Sequence, residues 1–176
     1  MKTAMLFFIA ALSGACVLQV GRADEPVKSK APKQSTAKSE SPIYDEKADG
    51  PAAIHAALAS AKRKNRRVLI QWGGNWCPWC HRLFNQFKAD KDLAKVLSSE
   101  YDLVLVDIGR REKNIDVAAH YGADVIKNGI PFLTILDADG KPVINQPTEP
   151  FEKKGEEKGY ESSKLMEFLK RYQSQH

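Results

Sequence analysis

The apolar residues between about residue 50 and the C-terminus follow two kinds of pattern. Short runs that are almost entirely apolar, as at 68–72, predict strands that are buried on both faces. Apolar residues spaced three and four apart, as at Ile54, Ala57, Leu58 and Ala61, predict helices with one buried face. The two patterns alternate along the chain, so helices and strands are expected to alternate as well.

The same patterns predict five helices and four strands. The last two strands form a hairpin, and the last helix follows it. The predicted helices cover 52–64, 92–99 and 114–121, with one more beginning near Cys77 and a last one beginning at Ser162, and the predicted strands cover 68–72, 103–108, 132–136 and 143–144. This order predicts an α/β fold with a central mixed sheet of about four to five strands, flanked by helices on both faces.

Two connections carry signals of their own. The segment 137–140, Asp-Ala-Asp-Gly, is typical of a hairpin turn, because an Asp-Gly pair adopts positive φ readily. Residues 147–160 are rich in Pro, Gly, Lys and Glu and predict a surface loop. Ser162 is the expected N-cap of the last helix.

Residues 1–23 have the pattern of a secretory signal peptide. Lys2 gives the positive start, the apolar stretch at 4–12 follows, and small residues at the end predict cleavage after residue 23. The apolar stretch is shorter than the ~20 residues that span a bilayer. We therefore expect an exported protein, periplasmic or secreted, and membrane attachment only if the leader is retained or Cys16 is lipidated.

The segment 24–45 consists largely of Lys, Ser, Ala, Pro and Glu, with few large apolar side chains. Such a segment buries too little apolar surface to offset its ordering entropy. It is predicted to be a disordered linker, which leaves 46–176 as the folded domain.

Charge narrows the range of partners. The chain carries a net charge of +5, and removing Lys2 and Arg22 with the predicted leader leaves 5 − 2 = +3. Basic and acidic residues are mixed, without a basic stripe interleaved with aromatic residues, so no nucleic-acid partner is expected.

The clearest chemical signal is the hexapeptide Trp-Cys-Pro-Trp-Cys-His at 76–81. Two cysteines two residues apart at the start of a helix are typical of a redox pair. A zinc site is not expected, because adjacent Cys80 and His81 cannot easily point at one ion from a regular helix. No other Cys-x-x-Cys pair is present, which excludes a four-cysteine zinc site within the chain.

Cys77 is predicted to lie where a strand ends and a helix begins. Unpaired backbone N–H groups and the helix dipole favour a negative charge there, so both lower the thiol pKa. Cys80 follows one turn later on the same face and is expected to be more shielded. We therefore predict that Cys77 attacks a partner disulfide and that Cys80 resolves the mixed disulfide.

Three neighbours are predicted to complete this site. Pro78 lacks an N–H and fixes φ, which stiffens the first turn of the helix. Trp76 and Trp79 are expected to present apolar surface around an exposed Cys77 sulfur and to dock a polypeptide.

The segment 76–80 after a buried strand, together with Gly-Ile-Pro at 129–131 before a later strand, resembles the thioredoxin superfamily. The turn Asp-Ala-Asp-Gly-Lys at 137–141 is similar to that of secreted bacterial thioredoxin-like domains. The resemblance covers roughly 50–173 and implies that Pro131 is cis and lies beside the cysteines. It also implies that the backbone of Ile130 pairs with an extended substrate strand.

The sequence departs from the family pattern in three places. Gln71 stands where thioredoxins have a buried Asp, so the proton acceptor for Cys80 is unassigned. The dipeptide Pro78-Trp79 is more similar to that of glutaredoxin, which suggests a less reducing potential than that of thioredoxin. An insert at 123–128 either shapes partner choice near the site or forms an inert loop.

The resemblance implies a protein thiol–disulfide oxidoreductase that needs no cofactor beyond the redox-active pair Cys77–Cys80. Its partners would be protein or peptide thiols and disulfides and an unknown redox donor, and we expect a monomer. The direction of electron flow and the substrate stay open.

Two other functions remain in view. Cys-x-x-Cys-His is also the pattern of covalent haem attachment, with His81 as the first axial ligand and Met166, His120 or His55 as the second. Three predicted strands and the hairpin argue against a c-type cytochrome, and we expect His81 to be exposed. The second alternative is a thioredoxin-fold binding module without turnover.

Overall fold

The computed structural model describes residues 41–174. In this range the helices are α1 (Gly50–Lys64), α2 (Pro78–Ala89), α3 (Lys91–Glu100), α4 (Ile115–His120), α5 (Val125–Asn128) and α6 (Ser162–Arg171), and the strands are β1 (Arg67–Gly73), β2 (Tyr101–Asp107), β3 (Phe132–Leu136) and β4 (Pro142–Pro147). A short 3-10 helix, Glu149–Phe151, follows β4. The predicted signal peptide and most of the predicted linker lie outside the described residues.

The four strands form one mixed sheet in the order β2-β1-β3-β4. β1 and β2 are parallel, and α2 and α3 form the connection between them. β3 runs antiparallel to β1, and β4 runs antiparallel to β3 across the predicted hairpin. This arrangement confirms the predicted α/β fold with a mixed sheet.

Alternate residues of β1 face opposite sides of the sheet, as the strand period requires. Val68, Ile70 and Trp72 belong to the core on the side of α1, α4 and α5. Leu69 belongs to the core on the side of α2, α3 and α6. Because both faces of β1 are covered, its sequence is an almost continuous apolar run.

Local signals in the sequence account for several helix ends. Asp49 caps α1 by accepting a hydrogen bond from the N–H of Ala52, and Pro51 occupies the first turn. Asn65 ends α1 in the left-handed conformation, at φ 53°. Asp90 caps α3 through the N–H groups of the first turn.

The predicted boundary between linker and domain at residues 45 and 46 is wrong. Tyr44 is only 3% exposed and packs against both cysteines. The folded body therefore includes residues that composition assigned to the linker.

The segment 147–160 is not simply a surface loop. Phe151 and Tyr160 are buried in the core between the sheet and α6, and a β-bridge joins Glu152 to Tyr160. Residues 149–150 and 154–158 of the segment are exposed. The polar composition of the segment masked these two buried aromatic side chains.

Two smaller expectations also change. The N-cap of α6 is Glu161 rather than Ser162, and no side chain caps this helix. The insert at 123–128 is partly helical rather than a loop, because it contains α5, and it buries Ala123 and Val125 in the core. Ile126 of α5 is exposed.

Within residues 41–174, no helix is long and apolar enough to cross a membrane.

Candidate active site

The two cysteines lie at the carboxyl end of β1, where the chain turns through 74–76 into α2. β1 is the second strand of the sheet and is held on both sides, by β2 and β3. Pro78 is the first residue of α2, as predicted, and Cys77 is its N-cap. The start of α2 is therefore a rigid platform for the Cys77 sulfur.

Cys77 Sγ accepts a hydrogen bond from the backbone N–H of Cys80, at 3.2 Å. The pKa of the Cys77 thiol is lowered, chiefly by a hydrogen bond from the Cys80 thiol and also by the N–H groups of Cys80 and Trp79. The positive charge of Arg82 adds to this effect, whereas burial opposes it. The backbone N–H groups are the helix-terminus effect that the sequence predicted for an attacking thiolate, and the Cys80 thiol adds a larger one.

The Cys77 sulfur is less accessible than expected. Cys77 is only 4% exposed, because Ile43, Tyr44, Trp79 and Ile130 cover the cysteine pair. The prediction of an exposed sulfur between the two tryptophans is wrong. The prediction failed because no sequence pattern showed that the segment before α1 covers the site.

Cys80 is fully buried. Its pKa is raised, first by burial and then by the hydrogen bond and charge of Cys77. The backbone N–H of Gly74 and the Tyr44 hydroxyl donate to its sulfur and oppose this rise. The pair is therefore asymmetric, with one thiol that ionises easily and one that ionises with difficulty.

The Ile130-Pro131 peptide bond is cis and lies beside the cysteines. Cys77 Sγ lies 3.8 Å from the carbonyl oxygen of Ile130. Thr148 Oγ1 donates to the carbonyl oxygen of Pro131, at 2.8 Å, which fixes the backbone after this bond. The structure thus brings Ile130 and Pro131 next to Cys77, as the resemblance implied.

The two tryptophans flank the site in different ways. Trp76 is 41% exposed, and its indole N–H donates to the carbonyl oxygen of Gly109, at 2.6 Å. Trp79 is partly buried and packs edge-on against Tyr160, with 5.5 Å between ring centroids. Of the two tryptophans, Trp76 therefore offers the more exposed apolar surface.

Each tryptophan also carries a guanidinium group on its ring. Arg110 lies over Trp76, at 5.7 Å from the centroid, and Arg82 lies over Trp79, at 5.0 Å. These cation–π contacts fix both rings and give the rim of the site a positive charge.

His81 is not exposed, contrary to the prediction. It is 3% exposed, and its Nε2 lies 2.9 Å from the carbonyl oxygen of Asn75. Helical side chains point back towards the helix N-terminus, so His81 folds over the turn that precedes α2. The haem alternative needs this nitrogen as an axial ligand, but a backbone carbonyl already occupies it.

In the described part of the chain, the cysteines do not form a metal site with other His, Cys, Asp or Glu side chains. Within residues 41–174, no group of three or more His, Cys, Asp or Glu side chains is placed to hold a metal ion. His55, named for the haem alternative, is exposed on α1.

Sequence reasoning missed Tyr44 and the residue that holds it, Asn75. We name residues 43–46 the N-terminal strap. Asn75 Oδ1 accepts from the N–H groups of Ile43 and Tyr44, both at 2.9 Å, and Asn75 Nδ2 donates to the carbonyl oxygen of Tyr44, at 3.0 Å. The signal in the sequence was Ile43-Tyr44 itself, the one adjacent pair of large apolar side chains in 24–45.

Gln71 lies inside this network and is fully buried. Its Nε2 donates to the Tyr44 hydroxyl oxygen, at 2.7 Å, and to the carbonyl oxygen of Cys80, at 3.2 Å. Gln71 thus occupies the position of the family's carboxylate but binds as an amide donor. Its Oε1 has no hydrogen-bond partner in the described part of the chain.

The fold and the paired cysteines define the class of protein. Residues 51–138, half of the chain, match the family model described as thioredoxin-like. The chain therefore belongs to the thioredoxin-like family, and the predicted membership of the thioredoxin superfamily is confirmed.

The chain is similar to particular redox proteins within that class. It is 25% identical over 103 residues to the disulfide bond reductase DsbH of Chlamydia pneumoniae, a match that covers 53% of this chain and 60% of DsbH. The matched region thus spans less than two thirds of that relative.

Among solved structures, the chain is similar to a disulphide isomerase from Xylella fastidiosa Temecula1. Identity is 26% and the TM-score is 0.62, over 73% of this chain and 95% of that chain. The C-terminal domain of DsbD from Neisseria meningitidis, in its reduced form, shares the fold at 14% identity and a TM-score of 0.50, over 69% of this chain and 95% of that chain.

Proposed function

We propose that the protein is a thiol–disulfide oxidoreductase that acts on protein disulfides from its reduced state. The observation that carries this proposal is the asymmetry of the cysteine pair at the start of α2. Cys77 Sγ accepts the N–H of Cys80, which favours its thiolate, whereas Cys80 is buried and kept as a thiol. A dithiol of this kind separates attack from resolution.

In the proposed reaction, the Cys77 thiolate attacks a substrate disulfide and forms a mixed disulfide. Cys80 then attacks Cys77, which leaves the protein with a Cys77–Cys80 disulfide and the substrate with two thiols. A redox donor must restore the dithiol after each reduction. No cofactor beyond this pair enters the proposed reaction.

The similarity to a disulfide bond reductase and to a disulphide isomerase supports the starting state. Both activities begin when a reduced dithiol attacks a substrate disulfide, and they differ in whether Cys80 completes the reaction. Ile130 is proposed to pair with an extended segment of the substrate, because its backbone adjoins Cys77. Trp76 and Pro78 are proposed to contact the same segment, since both are exposed beside the sulfur, and Trp79 is proposed to support that surface.

The proposed site of action is outside the cytoplasm. The leader pattern at 1–23 supports export, and a disulfide substrate is abundant only in an oxidising compartment.

The first test measures reduction of insulin disulfides and rearrangement of scrambled ribonuclease. We expect activity in the wild type and the uncatalysed rate in Cys77→Ser, because that variant lacks the attacking thiolate. Cys80→Ser should instead accumulate a mixed disulfide that is visible by non-reducing electrophoresis.

The double variant Cys77→Ser/Cys80→Ser is the matched control and should trap no substrate. Equal activity of wild type and Cys77→Ser would overturn the proposed mechanism. A wild type that is inactive on both substrates would instead favour the binding module.

A further inference from the structure

The N-terminal strap carries the hydroxyl of Tyr44 to the resolving sulfur. A Cβ atom built on Gly73 would lie 2.3 Å from the Tyr44 hydroxyl oxygen and 2.6 Å from Cys80 Sγ. Both atoms therefore border the same small space at the end of β1, and they occupy it because residue 73 has no side chain. Tyr44 is buried and held there by Asn75.

Gln71 determines which way the Tyr44 hydroxyl points. The phenol oxygen accepts the N–H of Gln71 Nε2, at 2.7 Å. A phenol has one hydrogen to donate. Because Gln71 Nε2 is itself the donor in this contact, the phenolic hydrogen can be donated to a different group. Cys80 Sγ borders the same small space, which makes it the acceptor available to that hydrogen.

Resolution of a mixed disulfide needs Cys80 as a thiolate, and its burial works against that ionised form. In thioredoxins a buried carboxylate helps to remove the proton, but Gln71 cannot take up a proton. The site must therefore favour the Cys80 thiolate by another route. A hydrogen bond donated to a buried anion is such a route, because charge-assisted hydrogen bonds are the strong ones.

We propose that Tyr44 is the hydrogen-bond donor that stabilises the Cys80 thiolate during resolution, with Gln71 as the residue that positions its hydroxyl. This inference rests on the proposed oxidoreductase function. It makes the N-terminal strap a part of the active site rather than a piece of linker.

The Cys80 thiol releases its proton to water, and the thiolate receives the hydrogen bond of Tyr44. Cys80 Sγ then attacks Cys77 Sγ, the bond between Cys77 and the substrate sulfur breaks, and the Cys77–Cys80 bond forms. The substrate sulfur leaves with the electron pair and takes a proton from water. Tyr44 keeps its own proton throughout.

Few titratable groups act on the Cys80 sulfur. The Cys77 thiol and the Tyr44 hydroxyl act on it directly, and Tyr160 interacts with both sulfurs. Arg82 acts on Cys77. Cys77 is part of a disulfide while the mixed disulfide exists, so Tyr44 is the neighbour whose removal should move the pH dependence of resolution.

The test follows resolution directly in the full-length protein. Reduced protein is mixed with oxidised glutathione, quenched with acid at set times and analysed by mass spectrometry, which separates the glutathionylated form from the internal disulfide. In Tyr44→Phe we expect the glutathionylated form to last about three to ten times longer near neutral pH, and the pH profile of its decay to move to higher pH. Loss of a donor to a charged group costs about one pKa unit, and increased nucleophilicity offsets part of that loss.

Tyr101→Phe is the matched control, because Tyr101 is also buried but donates to the carbonyl oxygen of Leu169, at 2.7 Å. It should resolve at the wild-type rate. Gln71→Met leaves Tyr44 in place without its orienting donor and should slow resolution less than Tyr44→Phe does. If Tyr44→Phe does not fold, the rate of resolution in Gln71→Met tests the proposal instead.

Unchanged decay and an unchanged pH profile in both Tyr44→Phe and Gln71→Met would overturn the role of Tyr44. Equal slowing in Tyr101→Phe would overturn it too, since the effect would then follow from any loss of a buried hydroxyl. A wild type that forms no glutathionylated intermediate at Cys77 would refute the proposed function instead.

Discussion

At the residue scale, the reactivity of Cys77 depends on its partner. The largest influence that lowers its pKa is the hydrogen bond from the Cys80 thiol, ahead of the backbone N–H groups at the start of α2. The sequence predicted a lowered pKa from the helix terminus alone. It could not show that the second thiol acts as a donor, because that depends on how deeply Cys80 is buried.

Replacing Cys80 by alanine should therefore raise the pKa of Cys77. A thiol whose pKa in the folded protein is below its ordinary value ionises at lower pH. In wild type the alkylation of Cys77 should therefore reach half its maximal rate at a lower pH than that of an ordinary thiol. In Cys80→Ala that midpoint should move up towards the ordinary value. The alkylation rate near neutral pH should fall about threefold for each unit of rise.

Iodoacetamide alkylation between pH 5 and 10, with the modified site identified by mass spectrometry, measures both midpoints. The same protein unfolded in denaturant gives the ordinary thiol value as a reference. Coincident midpoints in wild type and Cys80→Ala would contradict the role assigned to the Cys80 thiol.

The burial of His81 and the position of Tyr44 could not be predicted from local sequence patterns. Adjacent helix positions do face different directions, but His81 is buried because the turn before α2 lies under it. Tyr44 is separated from its partner Gln71 by 27 residues, so no local pattern relates the two. Tertiary contacts decided both cases.

At the element scale, strands buried on both faces were the most predictable features. β3 has the predicted bounds, and β1 exceeds the predicted 68–72 by one residue at each end. A strand covered on both faces has an almost continuous apolar sequence, which can be recognised without knowledge of the fold. The edge strand β2 begins two residues earlier than predicted, and its burial is uneven.

The end of β1 allows a test of how tightly the site is packed. Gly73→Ala would place a methyl group 2.3 Å from the Tyr44 hydroxyl oxygen and 2.6 Å from Cys80 Sγ. Since Gly73 has no positive φ, the cost comes from crowding, and we expect the free energy of unfolding to fall by about 1–3 kcal/mol. Urea unfolding of the reduced protein measures this change.

Gly159→Ala is the control, because a methyl group there meets only the Lys153 side chain, at 3.9 Å. Its unfolding free energy should stay within about 0.5 kcal/mol of wild type. A Gly73→Ala variant as stable as Gly159→Ala would show that the space between Tyr44 and Cys80 is less filled than described.

At the scale of the whole molecule, the sequence predicted the fold class and the order of elements, but not where the domain begins. The boundary failed because composition describes an average, and one Ile-Tyr pair in a polar segment barely alters that average. The proposed export is also a question at this scale, since it depends on the predicted leader at 1–23.

A charge in the apolar part of the leader should block export. Phe8→Arg breaks the stretch at 4–12, so we expect the protein to remain in the cytoplasm, whereas wild type should reach the periplasm and begin at Asp24. Cell fractionation and intact mass measure location and cleavage. Val27→Arg, just beyond the predicted cleavage site, should be exported normally; export of Phe8→Arg at the wild-type level would contradict the signal-peptide assignment.

The attachment of the N-terminal strap also has a consequence for the order in which the protein folds. The amides of Ile43 and Tyr44 bond to Asn75, about thirty residues later in the chain, and Tyr44 also needs Gln71 and Gly73 in place. The strap therefore cannot dock until β1 and the turn before α2 have formed, although it is synthesised before them. We therefore expect its docking to follow those elements, and the time at which these two amides become protected from hydrogen exchange should report when the resolving cysteine acquires its complete surroundings.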